Sequence, residues 1–97
     1  MTYQVVIEPH ALSDIQQAID YYDIQQIGLG KKFMDALDKH IQTLRKNPFY
    51  QIKYNDYRVL PIKKYPYSII FYINETNQTA YIMAVFNTFQ NPAKQPN

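Results

Sequence analysis

Two apolar stripes at helical spacing, separated by only a few residues, limit what this chain can fold into more than any other feature. Ala11, Ile15, Ala18, Ile19 and Tyr22 recur at intervals of three and four, while Asp14, Gln17 and Asp20 fall mostly off that stripe. Phe33, Leu37, Ile41 and Leu44 form the second stripe, with Ala36 and His40 at its edges. Between them stands "QQIGLG", which holds both glycines of the chain, Gly28 and Gly30. Two helices joined by so short a break form an antiparallel hairpin. Each helix is apolar along one stripe, so the pair needs a further layer to cover it, and a sheet is the expected partner.

The flanking segments provide strands for that sheet. "YQVVIE" (3–8) is β-branched, short and bounded by Pro9, and reads as a strand. Pro9 suits the first position of a helix, where an N–H would be unpaired in any case. Arg45 and Lys46 occupy the last turn of the second helix, where cations complement the helix dipole, and Asn47-Pro48 ends it. "YRVLPIKK" (57–64) is a strand whose Pro61 implies an edge or a bulge. "YPY" turns the chain. "YSIIFYIN" (67–74) is apolar on both faces, as a central strand should be, and "AYIMAVF" (80–86) is similar. Residues 49–56 read as a short strand or a loop. The expected class is α+β, in the order β-α-α-β-β-β. The hairpin packs on one face of a small, mainly antiparallel four-stranded sheet, and the other face is left open. The stripes should bury against Ile69 or Ile70, Phe71 and Val85.

With 97 residues, the chain is the size of one compact domain. The absence of cysteine removes disulfides, thiolate nucleophiles and cysteine-based zinc sites, so packing must hold the fold. No apolar run approaches the roughly 18 residues of a membrane span, and the N-terminus lacks the pattern of a signal peptide. A cytoplasmic protein without membrane contact, metal or cofactor is the expectation. Charge is unevenly spread. Residues 1–44 set Glu8, Asp14, Asp20, Asp23, Asp35 and Asp38 against Lys31, Lys32 and Lys39, a net of −3. Residues 45–97 set Arg45, Lys46, Lys53, Arg58, Lys63, Lys64 and Lys94 against Asp56 and Glu75, a net of +5. A basic second half suits a polyanion or an acidic protein segment, or is simply a solvated surface.

The order and spacing of these segments resemble the RelE/ParE superfamily of bacterial type II toxins. "ALSDIQQAIDYY" resembles the first helix of the family and "GLGKKFMDALDKHIQTLRKNP" the second. "YRVLPIKKYPYSIIFYI" resembles its Arg-bearing strand, aromatic-Pro-Tyr turn and Ile-rich strand, and "YIMAVFNTFQNP" its closing strand and tail. The resemblance implies a single toxin domain over residues 1–91, followed by a frayed polar tail over 92–97. It implies a cognate antitoxin as partner. The implied target is either DNA gyrase, which ParE-like toxins poison by binding, or the ribosome with its mRNA, which RelE-like toxins cleave.

Many relatives end the last strand with a His and, three residues on, an Arg. Asn87 and Gln90 stand at those places here, followed by Asn91 and Pro92. An amide can orient a phosphate but cannot exchange a proton near neutral pH, whereas histidine can. Arg58 matches the strand arginine of the family and is the natural phosphate clamp, since its fork holds two oxygens and keeps its charge. Lys64 would share its face if the period of two survives Pro61, with Lys63 pointing the other way. The catalytic candidates are therefore Arg58, Lys64, Asn87 and Gln90, and the substrate-binding candidates Lys63, Tyr65 and Tyr67, whose rings could stack on bases. Each has a plainer role: an ion pair or sheet-edge cap for Arg58, a strand end for the amides, core and turn for the tyrosines. His10 and His40 both fall on the hairpin, away from these candidates. The replaced groups favour a toxin that binds, or an attenuated one, over an active endoribonuclease.

Overall fold

A computed structural model describes residues 2–50 and 52–88. The strand β1 (Gln4–Ile7) leads into the helices α1 (Pro9–Gln25) and α2 (Leu29–Lys46). A 3₁₀ turn at Pro48–Tyr50 then precedes β2 (Ile52–Tyr54), β3 (Tyr57–Pro61), β4 (Tyr67–Asn74) and β5 (Thr79–Asn87). The sheet is five-stranded, in the order β1-β5-β4-β3-β2, with β1 parallel to β5 and the remaining pairs antiparallel. The class and the order of elements are those expected, with β2 added to the four strands read from the sequence. That strand is only three residues long and follows directly on a turn, too short for its alternation to stand out.

The short β2 also explains Pro61. The register of β2 ends at Ile52↔Val59, so β3 continues past its neighbour, and Pro61 sits where β3 has become the edge on that side. A residue without an N–H leaves no ladder bond unmade there. The central strand is β4, where Tyr67, Ser68, Ile69, Ile70 and Phe71 are all buried.

The hairpin covers one face of the sheet. Ala11, Ile15 and Ala18 of α1 and Phe33, Leu37, Ile41 and Leu44 of α2 join Leu60, Ile62, Tyr67, Ile69, Phe71, Ala80, Ile82 and Val85 in one core. Ile69, rather than Ile70, meets the helices; Ile70 is buried on the other face, opposite Val59 and Ala84. The β4–β5 register shifts between Ile70 and Phe71, which leaves Met83 as the extra residue on β5 and keeps both Ile82 and Val85 directed at the hairpin.

Polar groups fix the hairpin where apolar packing would let it slide. The N–H of Gly30 in the first turn of α2 donates to Asp23 Oδ1 at 2.8 Å, closing one helix onto the other. A Cβ at Gly30 would stand 2.8 Å from both Asp23 Oδ1 and Ile19 Cγ2, so only glycine admits this approach. Asp14, off the apolar stripe, reaches β5 and accepts from the Val85 N–H at 3.0 Å, just past the last β1–β5 register pair, Ile7↔Ile82. The Tyr3 N–H donates to the Arg45 carbonyl at 2.7 Å, tying the start of the chain to the end of α2. Among the described residues no helix is long and apolar enough to cross a membrane.

Gly30→Ala should therefore cost about 1–3 kcal/mol through overpacking, although alanine is the better helix former. Leu37→Ala, which empties a fully enclosed site, should cost about 2–5 kcal/mol. Urea titration of both variants checks the pair; a Gly30→Ala protein as stable as the parent would mean the two helices are not held this closely.

Candidate functional site

The residues singled out in the sequence divide between two ends of the sheet. Arg58 lies on β3 directly opposite Phe71 of β4, whereas Asn87 ends β5 opposite Tyr67 of β4. These two levels are four residues apart on β4 and the two strands flank it. At about 3.3 Å per residue and about 4.8 Å between strands, roughly 16 Å separates their backbones. Arg58 and Asn87 are not brought together.

Arg58 is occupied with the fold. Its Nη1 donates to the Phe49 carbonyl at 3.3 Å, and its guanidinium carbon lies 5.3 Å from the centre of the Phe49 ring. The edge of the Tyr3 ring meets the same phenyl ring, at 5.7 Å between centroids. Arg58 thus anchors the 3₁₀ turn that carries the chain from α2 into β2. A fully charged, weakly hydrated planar group suits this combination of ring face and carbonyl.

The other candidates gather around the β3–β4 turn. Lys63 and Lys64 are exposed turn residues beyond the end of β3, so the strand period does not extend to them. Lys64 adopts a left-handed backbone, φ 73°. His40 holds the turn to α2: its Nδ1 lies 2.6 Å from the Ala36 carbonyl, and its Nε2 accepts from the Lys63 N–H at 3.2 Å. That pattern assigns the proton to Nδ1 and uses both ring nitrogens. His10, in the first turn of α1, has Nε2 3.5 Å from Asp14 Oδ2.

Tyr65 and Tyr67 belong to an aromatic cluster with Tyr22 and Phe33. Ring centroids lie 5.3 Å apart for Phe33–Tyr65 and 5.2 Å for Phe33–Tyr67, both edge-to-face. Tyr67 is buried in the core, and Tyr65 packs partly exposed against it. Asn87 is half-buried at the end of the strand, and the next residue, Thr88, fastens that end to the turn: its N–H donates to the Pro66 carbonyl at 2.9 Å. Gln90, Asn91 and Pro92, and the tail over 92–97, lie outside the described residues. Among the described residues no group of His, Asp or Glu is arranged to hold a metal ion.

The face of the sheet away from the hairpin is aromatic and carries little charge. Tyr72 and Tyr81 stack at 4.9 Å, and Tyr54 and Tyr57 at 5.9 Å. The Tyr72 hydroxyl donates to Glu8 Oε2 at 3.3 Å. Desolvation raises the Tyr72 pKa above the usual 10.0, and the Glu8 carboxylate raises it further through its charge and the hydrogen bond. Burial also raises Tyr22, with help from the neighbouring tyrosines Tyr67, Tyr65 and Tyr21. The Tyr57 hydroxyl is enclosed without a hydrogen-bond partner among the described residues. Two features escaped the sequence reading. Asp14 looked like a solvated helix residue, yet it completes β5. Ile24 and Ile27 at the hairpin tip, 85% and 94% exposed, interrupt no pattern that would have flagged them.

A parallel strand at the edge of an otherwise antiparallel sheet, with a helical hairpin laid on one face, defines a small α+β domain. A solved structure described as "Chromosomal ParDE TA system from P. aeruginosa" has a similar fold, with a TM-score of 0.76, covering 88% of this chain and 95% of that one at 13% sequence identity. No curated protein matches the sequence significantly. The family described as "ParE toxin of type II toxin-antitoxin system, parDE" matches residues 5–92. The chain belongs to the ParE toxin family.

The tyrosine shifts predict a loss of stability in alkali. A group whose pKa is higher folded than unfolded stays protonated in the native state while the unfolded chain has begun to ionise. Stability should hold below the ordinary tyrosine value near 10.0 and fall as pH climbs through it toward the raised folded values. Urea midpoints between about pH 8 and 11 measure this, and Tyr72→Phe should flatten the slope. A midpoint that rises over that range would contradict the assignment.

Proposed function

We propose that this chain is the toxin of a type II toxin–antitoxin pair, held inactive by a protein antitoxin, and that it acts in the cytoplasm by binding DNA gyrase. The observation that carries this reading is the employment of Arg58. RNA cleavage through the 2′-hydroxyl needs a proton acceptor, a proton donor and a cation converging on one phosphate. Here the matching strand arginine is committed to Phe49, some 16 Å by strand geometry from the amide at the end of β5. Both nitrogens of His40 are engaged in joining α2 to the β3–β4 turn. Tyr65 and Tyr67 are packed against Phe33.

Binding needs none of that convergence. It needs a rigid surface, and the hairpin–sheet body supplies one. Membership of the ParE family supports the toxin–antitoxin part of the proposal, and the separation of the candidate cleavage groups supports a bound target over a cleaved one.

The purified chain, titrated into a gyrase reaction on relaxed plasmid, should suppress supercoiling at concentrations near that of the enzyme. Full supercoiling in the presence of a large molar excess of folded toxin would remove gyrase as the target.

A further inference from the structure

On the sheet face away from the hairpin, Val6 of β1, Tyr81 of β5 and Tyr72 of β4 stand side by side in register. The two rings stack almost parallel, 15° apart in plane and 4.9 Å between centroids. Both hydroxyls are tied. Tyr81 accepts from Asn77 Nδ2 at 3.0 Å, and Tyr72 donates to Glu8 Oε2 at 3.3 Å. Glu8 continues the line of β1 two residues after Val6 and sits at the N-cap of α1, where its side chain makes no capping bond. Val6 is 43% exposed, and both rings and Glu8 are half-buried.

This is a carboxylate placed on an aromatic shelf. The nearby positions of the same face, Ile70, Val59 and Ala84, carry no charge. The ion pairs within 4.0 Å among the described residues, His10–Asp14 and Lys31–Asp35, do not include Glu8. The Tyr72 hydroxyl occupies one acceptor position of a group that has several, and it leaves the charge in place. The rings themselves present negative π faces. Carboxylate and rings therefore both attract a cation. A guanidinium suits the two together, because its plane lies along a ring while its fork meets a carboxylate. The hydroxyl bonds already hold the rings, so little side-chain freedom is left to lose on binding.

We propose that Glu8, Tyr72 and Tyr81, bordered by Val6, form a docking point for an arginine side chain of the toxin's target. The proposal rests on gyrase being that target and gives the contact its chemistry: a guanidinium flanked by apolar surface.

The test measures dissociation constants of the purified toxin on immobilised, intact gyrase at low and high salt. Glu8→Gln keeps an acceptor for the Tyr72 hydroxyl and removes the charge. It should weaken binding roughly threefold or more at low salt, and the gap from the parent should narrow as salt screens the pair. Tyr81→Leu, which removes a ring but stays apolar, should weaken binding roughly fivefold. Asp38→Asn, the same loss of charge at an exposed position of α2, should bind as the parent does. Thermal melts verify folding of each variant. Equal gyrase affinities of Glu8→Gln and the parent at low salt would overturn the docking point while leaving gyrase as the target. If the same variant then bound the antitoxin from the adjoining reading frame more weakly, the shelf would belong to that partner. An equal loss in Asp38→Asn would also overturn the docking point, since net charge alone would explain both. Absence of binding by the folded parent would overturn the gyrase reading and the docking point with it.

Discussion

Burial of the α2 row, Phe33, Leu37, Ile41 and Leu44, in the core that it shares with α1 and the sheet is the interaction on which the rest of this structure depends. Each of these side chains is enclosed, and each is worth about 1.5–3 kcal/mol of transfer from water before the cost of ordering is counted. Polar ties are smaller, about 0.5–1.5 kcal/mol net each. They decide where the apolar layers sit. Asp14 on Val85, Asp23 on Gly30, Tyr3 on Arg45, Arg58 on Phe49 and His40 on Lys63 fix the hairpin and its connections around the margin of the sheet.

That division of labour bears on function. Arg58, His40, Tyr65 and Tyr67, which could carry chemistry, are all spent on position. His40 could be a general base only by giving up the Lys63 N–H, and Arg58 could be a phosphate clamp only by releasing Phe49. Among the described residues, exposed apolar surface includes the aromatic face with its stacked tyrosines and the tip at Ile24 and Ile27. A surface of this kind is what the proposed binding mode requires.

Local features of the sequence translated well into structure. The span of β4 agrees with the run "YSIIFYIN" because a central strand is apolar on both faces and sharply bounded by turn residues. The helical stripes were equally legible because their period is long and unbroken. Features that depend on residues distant in sequence were not. Nothing near Arg58 announces Phe49, and nothing in α1 marks Asp14 as the acceptor for an amide 71 positions later. Lys64 was placed by extending a strand period beyond Pro61, where the chain had already turned and the backbone becomes left-handed. The amide at position 87 was correctly read as the end of a strand, but its distance from Arg58 follows from the sheet order, which places β4 between their strands.

The account stands or falls on whether the chain cuts RNA. The most direct measurement is mapping of message ends in a reconstituted translation reaction, with the parent toxin and with Asn87→His/Gln90→Arg. One positioned acid–base group is worth about 10²–10⁴-fold in rate, so the variant would reveal a site lacking only that group. The account predicts intact message from both proteins, because Arg58 would still be held on Phe49 at the other end of the sheet. Codon-positioned cuts by the parent would contradict it.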